Sequence, residues 1–410
     1  MILHQKKSNI KSASPKNIYR RLPSGIWGLG FVSMFMDISS ELVHSLLPVF
    51  MVTVLGTTVA AVGMIEGVAE SAAAIIKVFS GAISDFCGKR KYLAVTGYAI
   101  SAITKPVFPL ATTLGWVFGA RFTDRVGKGI RGAPRDALVA DIAPEELRGA
   151  AYGLRQSLDS VGAFIGPLLA VFSMIWFSEN IRAVLWIAVL PAFVAVFLLI
   201  FTVHEPEKNN CSNTVRNPLA FFEIIHLPKG YWFIVALGAV FTLARFSEAF
   251  LILRASDLGV SLGYVPVIMI IMNIIYSVFA YPAGAAADRF SARIILLSGL
   301  TILIVADIIL ALAQSPSGSF IGAAFWGLHM AFTQGLFSKL IADAAPVNLR
   351  GTAFGVFNLV SGIALFLASF IAGSLWSAYG AKATFIAGAL FAFLAIIGLL
   401  FFSFEPGSNK

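Results

Sequence analysis

Asp141-Ile-Ala-Pro-Glu-Glu-Leu-Arg148-Gly149-Ala-Ala-Tyr-Gly153 recurs in the second half of the chain as Asp343-Ala-Ala-Pro-Val-Asn-Leu-Arg350-Gly351-Thr-Ala-Phe-Gly355. Gly81-Ala-Ile-Ser-Asp85 recurs as Gly284-Ala-Ala-Ala-Asp288 at nearly the same offset. Two independent motifs displaced by one common step mark an internal duplication. Each copy lies between long apolar runs, so the duplicated unit is itself rich in segments that bury on all sides.

Outward from the repeat, apolar runs long enough to cross a bilayer, about 20 residues each, occur twelve times. They fall at roughly 25–51, 59–84, 92–109, 115–140, 150–176, 182–203, 230–254, 262–287, 293–313, 318–342, 351–377 and 381–404. Of the 410 residues 58% are hydrophobic and only 12% charged, against about 25% charged in a soluble domain. Such a chain cannot cover itself in water. The net charge of +9 is therefore read as a topology signal and not as a nucleic-acid surface. Lys6, Lys7, Lys11, Lys16, Arg20 and Arg21 precede the first run, and Lys89-Arg90-Lys91, Arg148, Lys208, Arg216, Lys229, Arg289, Arg293 and Arg350 share its side. The opposite loops hold only Arg182, Arg254 and Lys382. Positive charge stays inside, so both termini are expected in the cytoplasm of a bacterial inner-membrane protein, behind an uncleaved basic tail. Cys87 and Cys211 are the only cysteines, too few for a disulfide framework or a zinc ribbon.

The expected fold is an all-α membrane protein of twelve transmembrane helices in two pseudo-symmetric six-helix bundles. Its parts are a basic tail (1–24), the N-terminal bundle (25–203), a polar linker (204–229), the C-terminal bundle (230–404) and a short tail (405–410). Gly81-x-x-x-Asp85-x-x-Gly88-Lys89-Arg90-Lys91 after the second span, a weaker copy at Asp288, Arg289 and Arg293 after the eighth, and the duplication together resemble the major facilitator superfamily over residues 25–404. Arg121 with Gly127 and Gly129 in the fourth span resembles a second family element, although Asp124, Arg125 and Lys128 stand where small or neutral residues are usual. Gly162-x-x-x-Gly166-Pro167 resembles the family's antiporter motif without its trailing glycine pair. The resemblance implies a monomeric secondary transporter and a cytoplasmic gate in which Asp85 is held by Arg131 or Arg135 and the helix start near Arg350. Gly81, Gly88, Arg90, Arg148 and Asp288 complete that expected gate.

Charges inside a span are costly and should face a cavity or one another. At about 100° per residue, Asp37, Glu41 and His44 share one face of the first span, and Glu66, Glu70 and Lys77 one face of the second. Arg121, Asp124, Arg125, Lys128, Arg131 and Arg135 occupy about a third of the fourth helix, which Pro134 should kink or end. Arg155, Asp159, Gly162 and Gly166 form a stripe on the fifth. Carboxylates facing movable arginines suit proton coupling, so Asp37, Glu41, Glu70, Arg121 and Arg125 are the expected proton-coupling set. His44, Lys128, Arg155, Asp159, Arg245, Glu248, Asn273, Tyr276, Trp326 and His329 are the expected substrate-binding set. Lys105 and Asp307 are buried-looking charges with no role in this reading.

No Walker loop or metalloprotease motif occurs. Gly259-Val-Ser261-Leu-Gly263 and Gly127-Lys-Gly129-Ile-Arg-Gly132 match a hydrolase and a dinucleotide pattern but lack the strand context those motifs need. An enzyme is therefore not expected, nor a resident cofactor beyond a proton gradient. The basic stripe points to an anionic solute, an organic acid or a carboxylate siderophore, with a lean to export. Two alternatives stay open: a divalent metal held by Asp37, Glu41 and His44, and efflux of drug-like amphiphiles.

Overall fold

In the computed structural model residues 22–87, 89–144, 147–205, 227–346 and 349–401 are described. Gly88, both tails and residues 206–226 of the expected linker, Cys211 included, lie outside the described residues, as do the side chains of Asp85, Asp288 and Arg350. The chain is helical throughout its described length. Its helices are α1 (Ser24–Val49), continued by a π-helical turn (Phe50–Val54), α2 (Val59–Cys87), α3 (Arg90–Thr104), α4 (Val107–Leu110), α5 (Leu114–Ile142), α6 (Arg148–Trp176), α7 (Ile181–Ile187) and α8 (Val189–Thr202). The second half supplies α9 (Lys229–Ala244), α10 (Ala249–Asp257), α11 (Val267–Arg289), α12 (Ala292–Leu312), α13 (Pro316–Ala344), α14 (Arg350–Tyr379) and α15 (Ala381–Phe401).

Twelve passes result, because α3 with α4, α7 with α8, and α9 with α10 each share one. Ten of the described helical passes are long and apolar enough to span a membrane. The other two are α5, interrupted by its run of charges, and α13, whose hydropathy is lowered by His329 and Gln334. Both still run the length of their bundle, α5 packed on α2 and α3 and α13 on α11 and α12. Pro134 does not end α5 as expected: the helix runs two turns beyond it to Ile142.

The packing repeats with the sequence. In the first half α5 packs on α2 and α3, and α1 on α6 and α8; in the second α13 packs on α11 and α12, and α9 on α14 and α15. The halves meet through two related contacts, α2 on α14 and α6 on α11, and through α10 against α1 and α2. Small residues set these distances. A side chain on Gly67 would meet the Phe366 carbonyl at 3.0 Å, and one on Gly373 the Val59 carbonyl at 2.9 Å. At the end carrying residues 55–58 and 177–180, one apolar core runs unbroken from Leu46, Leu47 and Ile65 into Phe250, Leu253 and Ala372 of the other half. The halves are sealed there. Toward the opposite end, Ile26, Leu29, Tyr98, Leu138 and Leu199 form a core confined to the first half.

Candidate functional site

The fourth span carries its charges into the bundle because glycines let neighbours close on it from two sides. A side chain on Gly127 would meet the Gly97 carbonyl of α3 at 2.7 Å, and one on Gly129 the Ala73 carbonyl of α2 at 2.9 Å. The glycines of the rejected dinucleotide pattern are thus packing residues. With α2 and α3 so near, the α5 stripe divides among three environments. Arg121 is buried and reaches Glu66 at 2.6 Å and Glu70 at 3.3 Å on α2. Arg125 reaches Glu70 at 3.1 Å and Asp124 at 3.5 Å. Asp124 faces the other way and accepts from Lys105 Nζ at 3.0 Å, while the same ammonium donates to Ser40 at 3.2 Å. Lys105 therefore closes the back of the cluster, which supplies the role the sequence did not.

Arg131 also turns into the bundle. It donates to Ser101 and lies 4.8 Å from the Tyr98 ring. Arg135 pairs with Asp136 at 3.1 Å and donates to Ser33 at 3.2 Å. Asp85, which these two arginines are expected to hold, has its side chain outside the described residues. Arg90 pairs with Asp141 at 2.8 Å, its backbone N–H donates to the Glu205 carboxylate at 2.7 Å, and Arg148 donates to the Ala140 carbonyl. Gly81 packs on Ala133.

The fifth-span stripe has a structural meaning. A side chain on Gly162 would meet the Met34 carbonyl at 2.6 Å, and one on Gly166 the Ile38 carbonyl at 2.7 Å. The two glycines press α6 onto α1 beside Asp37 and Glu41. Arg155 pairs with Asp159 at 2.7 Å and stands 3.7 Å from Asp136.

A cavity of about 600 Å³ lies between the halves. Its first-half wall is Glu41, His44, Glu70, Ala74, Arg125 and Lys128. Its second-half wall has four phenylalanines, Phe241, Phe246, Phe337 and Phe357, with polar groups from Thr242, Ser247, Thr333, Gln334, Asn358 and Ser361. Arg245 and Glu248 complete it, 3.6 Å apart. These last two lie between helices and not within one. Arg245 leaves the helix with an extended backbone, residues 245–248 separate α9 from α10, and the Ser247 amide donates to Ser369 on α14 at 3.2 Å. No proline or glycine marks that break, so periodicity alone passes through it.

The cavity lining balances nearly to neutrality: Arg125, Lys128 and Arg245 against Glu41, Glu70 and Glu248. Most of these charges are already paired. Glu70 has Arg125, Glu248 has Arg245, and Glu41 lies 3.6 Å from His44. Lys128 is exposed to the cavity and makes no ion pair with the described residues.

Several expected site residues stand elsewhere. Asp37 and Arg121 lie outside the lining, as does the Arg155–Asp159 pair. Asn273 donates to the Ala163 carbonyl at 3.3 Å in the α6–α11 contact, and Tyr276 packs at the edge of the shared core. Trp326 and His329 are fully buried behind the phenylalanine wall. The proposed metal trio does not assemble: among the described residues no three of His, Cys, Asp and Glu gather to hold an ion. His44 turns instead toward Glu41 and Glu66, the latter 4.0 Å from its Nε2. Glu66, Gln334 and Asn358 were missed as site residues, although an acid or an amide in mid-span was signal enough.

The sequence profile of the Major Facilitator Superfamily matches residues 29–254 and again 248–410. The chain belongs to this family. An uncharacterized MFS-type transporter of Methanocaldococcus jannaschii is 30% identical over 390 residues, covering 93% of this chain and 96% of the relative. The inner membrane transport protein YajR of Escherichia coli is 21% identical over 395 residues, 92% of this chain and 83% of its own length. In fold, the chain superposes on the nucleoside transporter NupG with a TM-score of 0.73 at 15% identity, covering 92% of this chain and 97% of that one. A bacterial homolog of the lysosomal transporter Spinster, in an inward-facing unoccupied conformation, gives 0.73 at 15% identity, with 94% and 97% covered. The protein is a multi-pass membrane transporter of this superfamily and not an enzyme.

Proposed function

We propose that this transporter moves a small organic acid with one carboxylate on an aromatic or apolar body, coupled to protons, by alternating access around the central cavity. The observation that carries the reading is Lys128, a cavity cation without an ion-pair partner facing a wall of four phenylalanines. An incoming carboxylate meets an unpaired ammonium there, while its body takes the aromatic surface and Gln334, Asn358 and Ser361 orient it. With Arg125 and Arg245 already neutralised, a solute bearing several carboxylates would find too few free cations. That narrows the substrate away from polycarboxylate siderophores. Glu41, Glu70 and Asp37 are the proton carriers in this account. A carboxylate that exchanges its arginine for a proton as the halves rock gives the coupling.

The loop charges orient the chain with both termini in the cytoplasm of a prokaryotic cell membrane. Under that orientation the sealed end of the bundle faces outward. Export is the proposed direction, on the strength of the antiporter-like Gly162–Pro167 segment that packs beside Asp37 and Glu41. The phenylalanine wall also suits a cationic amphiphile, so the test includes one. Ligands that bind the folded state raise its melting temperature by mass action. Aromatic monocarboxylates are expected to stabilise the purified protein, and Lys128→Met to abolish that stabilisation without lowering the ligand-free melting temperature. Stabilisation by cationic amphiphiles or divalent metals alone would overturn the substrate assignment.

A further inference from the structure

Behind the phenylalanine wall lies a file of polar groups that the cycle just described does not use. Asp307 on α12 is fully buried, and neither carboxylate oxygen has a hydrogen-bond partner. On α13, Trp326 and His329 are equally buried, and the indole Nε1 and both imidazole nitrogens are unpartnered. Five polar atoms without partners in one interior region are unusual, since buried polar groups are almost always hydrogen-bonded.

Their placement is directional. Trp326, His329 and Thr333 follow i, i+3, i+7 spacing on one face of α13, and Thr333 lines the cavity. The His329 ring stands perpendicular to Trp326 with centroids 5.6 Å apart and lies 6.1 Å from the cavity residue Phe241. Trp326 in turn is 5.4 Å from Phe246, another cavity residue. A side chain on Gly388 would meet Phe246 at 2.9 Å and Asp307 Oδ2 at 2.6 Å. The carboxylate therefore sits just behind Phe246, and the bare backbone at Gly388 leaves it room. Phe246 itself belongs to the 245–248 break between α9 and α10.

No cation faces Asp307 among the described residues. On α15, packed against α12, the only charged residue is Lys382 near its start, and α13 offers His329 and Trp326. Arg245 acts on His329 from the cavity side. Burying an ionised carboxylate with no partner is costly, so a carboxyl group placed there calls for a proton or a polar partner.

We infer that Asp307 is a second proton-binding site, in the C-terminal half, reached from the cavity past Phe246 with the His329 imidazole as the relay. Loading forms an O–H bond on one Asp307 oxygen and removes one proton from the cavity. Unloading breaks that bond, and the His329 imidazole accepts the proton and passes it on. The site's use in transport rests on the proton-coupled reading; its occupancy does not.

Infrared difference spectra across a pH step, recorded on the full chain, test occupancy directly. The parent is expected to show the carbonyl stretch of a protonated carboxyl group that is missing from Asp307→Asn and retained but slower to change in His329→Gln. Asp307→Glu, which keeps the acid, should move the band, and it serves if the asparagine variant does not fold. Identical bands in the parent and these variants would overturn the inference. In proteoliposomes the ratio of protons to solute should fall in Asp307→Asn while solute exchange persists; an unchanged ratio would overturn the coupling role. A parent that moves no protons with any solute would refute the transport reading and leave the infrared result to decide the site.

Discussion

Removing Arg121 should unfold this protein's N-terminal half more readily than any change in the cavity. Arg121 is 1% exposed and Glu66 0%, with 2.6 Å between their charged atoms. Solvent does not screen this pair. At an effective dielectric constant near 20, the attraction at that separation is roughly 6 kcal/mol, most of it offset by the cost of burying both ions. Arg121→Met leaves Glu70 its contact with Arg125 at 3.1 Å, but leaves Glu66 only the His44 ring at 4.0 Å. The expected loss is that of an orphaned buried charge, about 3–5 kcal/mol. Adding Glu66→Leu removes the orphan and should return stability to within about 1 kcal/mol of the parent, because apolar replacements of buried pairs are often neutral. Thermal melting in detergent, followed by tryptophan fluorescence for the parent, both single variants and the double, gives the comparison. A single variant that melts with the parent, or a double that loses the sum of both singles, would refute this account of the cluster.

Other expectations follow from the same geometry. Gly166→Leu puts a side chain against the Ile38 carbonyl and should cost about 1–3 kcal/mol by forcing α6 off α1, read as a lowered melting temperature. Lys105→Met leaves Asp124 only its longer contact with Arg125 at 3.5 Å and should destabilise by about 1–3 kcal/mol, rescued by adding Asp124→Asn; melting of the pair decides it. Glu179, held at φ 62°, accepts from the Ser261 hydroxyl and the Gly263 amide across the two halves. Glu179→Ala should therefore shift the population toward the form open at that end by about fivefold, or ~1 kcal/mol. Longer distances between spin labels at positions 58 and 379 would report the shift, and an unchanged distance distribution would contradict it.

Much of the architecture could be read from the chain because the bilayer imposes it. Every backbone polar group in a span must be satisfied by its own helix, so length and apolar content mark ten of the passes, and the repeats at Arg148 and Arg350 expose the duplication. Helical breaks were less legible. Pro106 signals the α3–α4 break, but the one at 245–248 depends on Ser369 of a distant helix and leaves no local mark. The acidic and basic faces were visible from their period, yet a period gives an angle and not a neighbour. Arg121, Asp124 and Lys128 share one face of α5; only the approach of α2 and α3 at Gly129 and Gly127 sends the first to Glu66, the second to Lys105 and the third to the cavity. Lys105 had no role in the sequence for the same reason. Trp326 and His329, expected to bind substrate, are buried one layer behind the cavity wall, a depth that residue type and spacing do not reveal.

The central claim is that an acidic solute is exchanged for protons through a cavity whose free cation is Lys128. Proteoliposomes enclosing a pH-sensitive dye, challenged with a panel of aromatic monocarboxylates, test it most directly. The account predicts solute-dependent proton movement by the parent, loss of that movement in Lys128→Met, and solute exchange without proton movement when Asp37 and Glu41 are both neutralised as Asp37→Asn and Glu41→Gln. Proton movement that persists in Lys128→Met, or solute accumulation still driven by the pH gradient after both acids are neutralised, would contradict it.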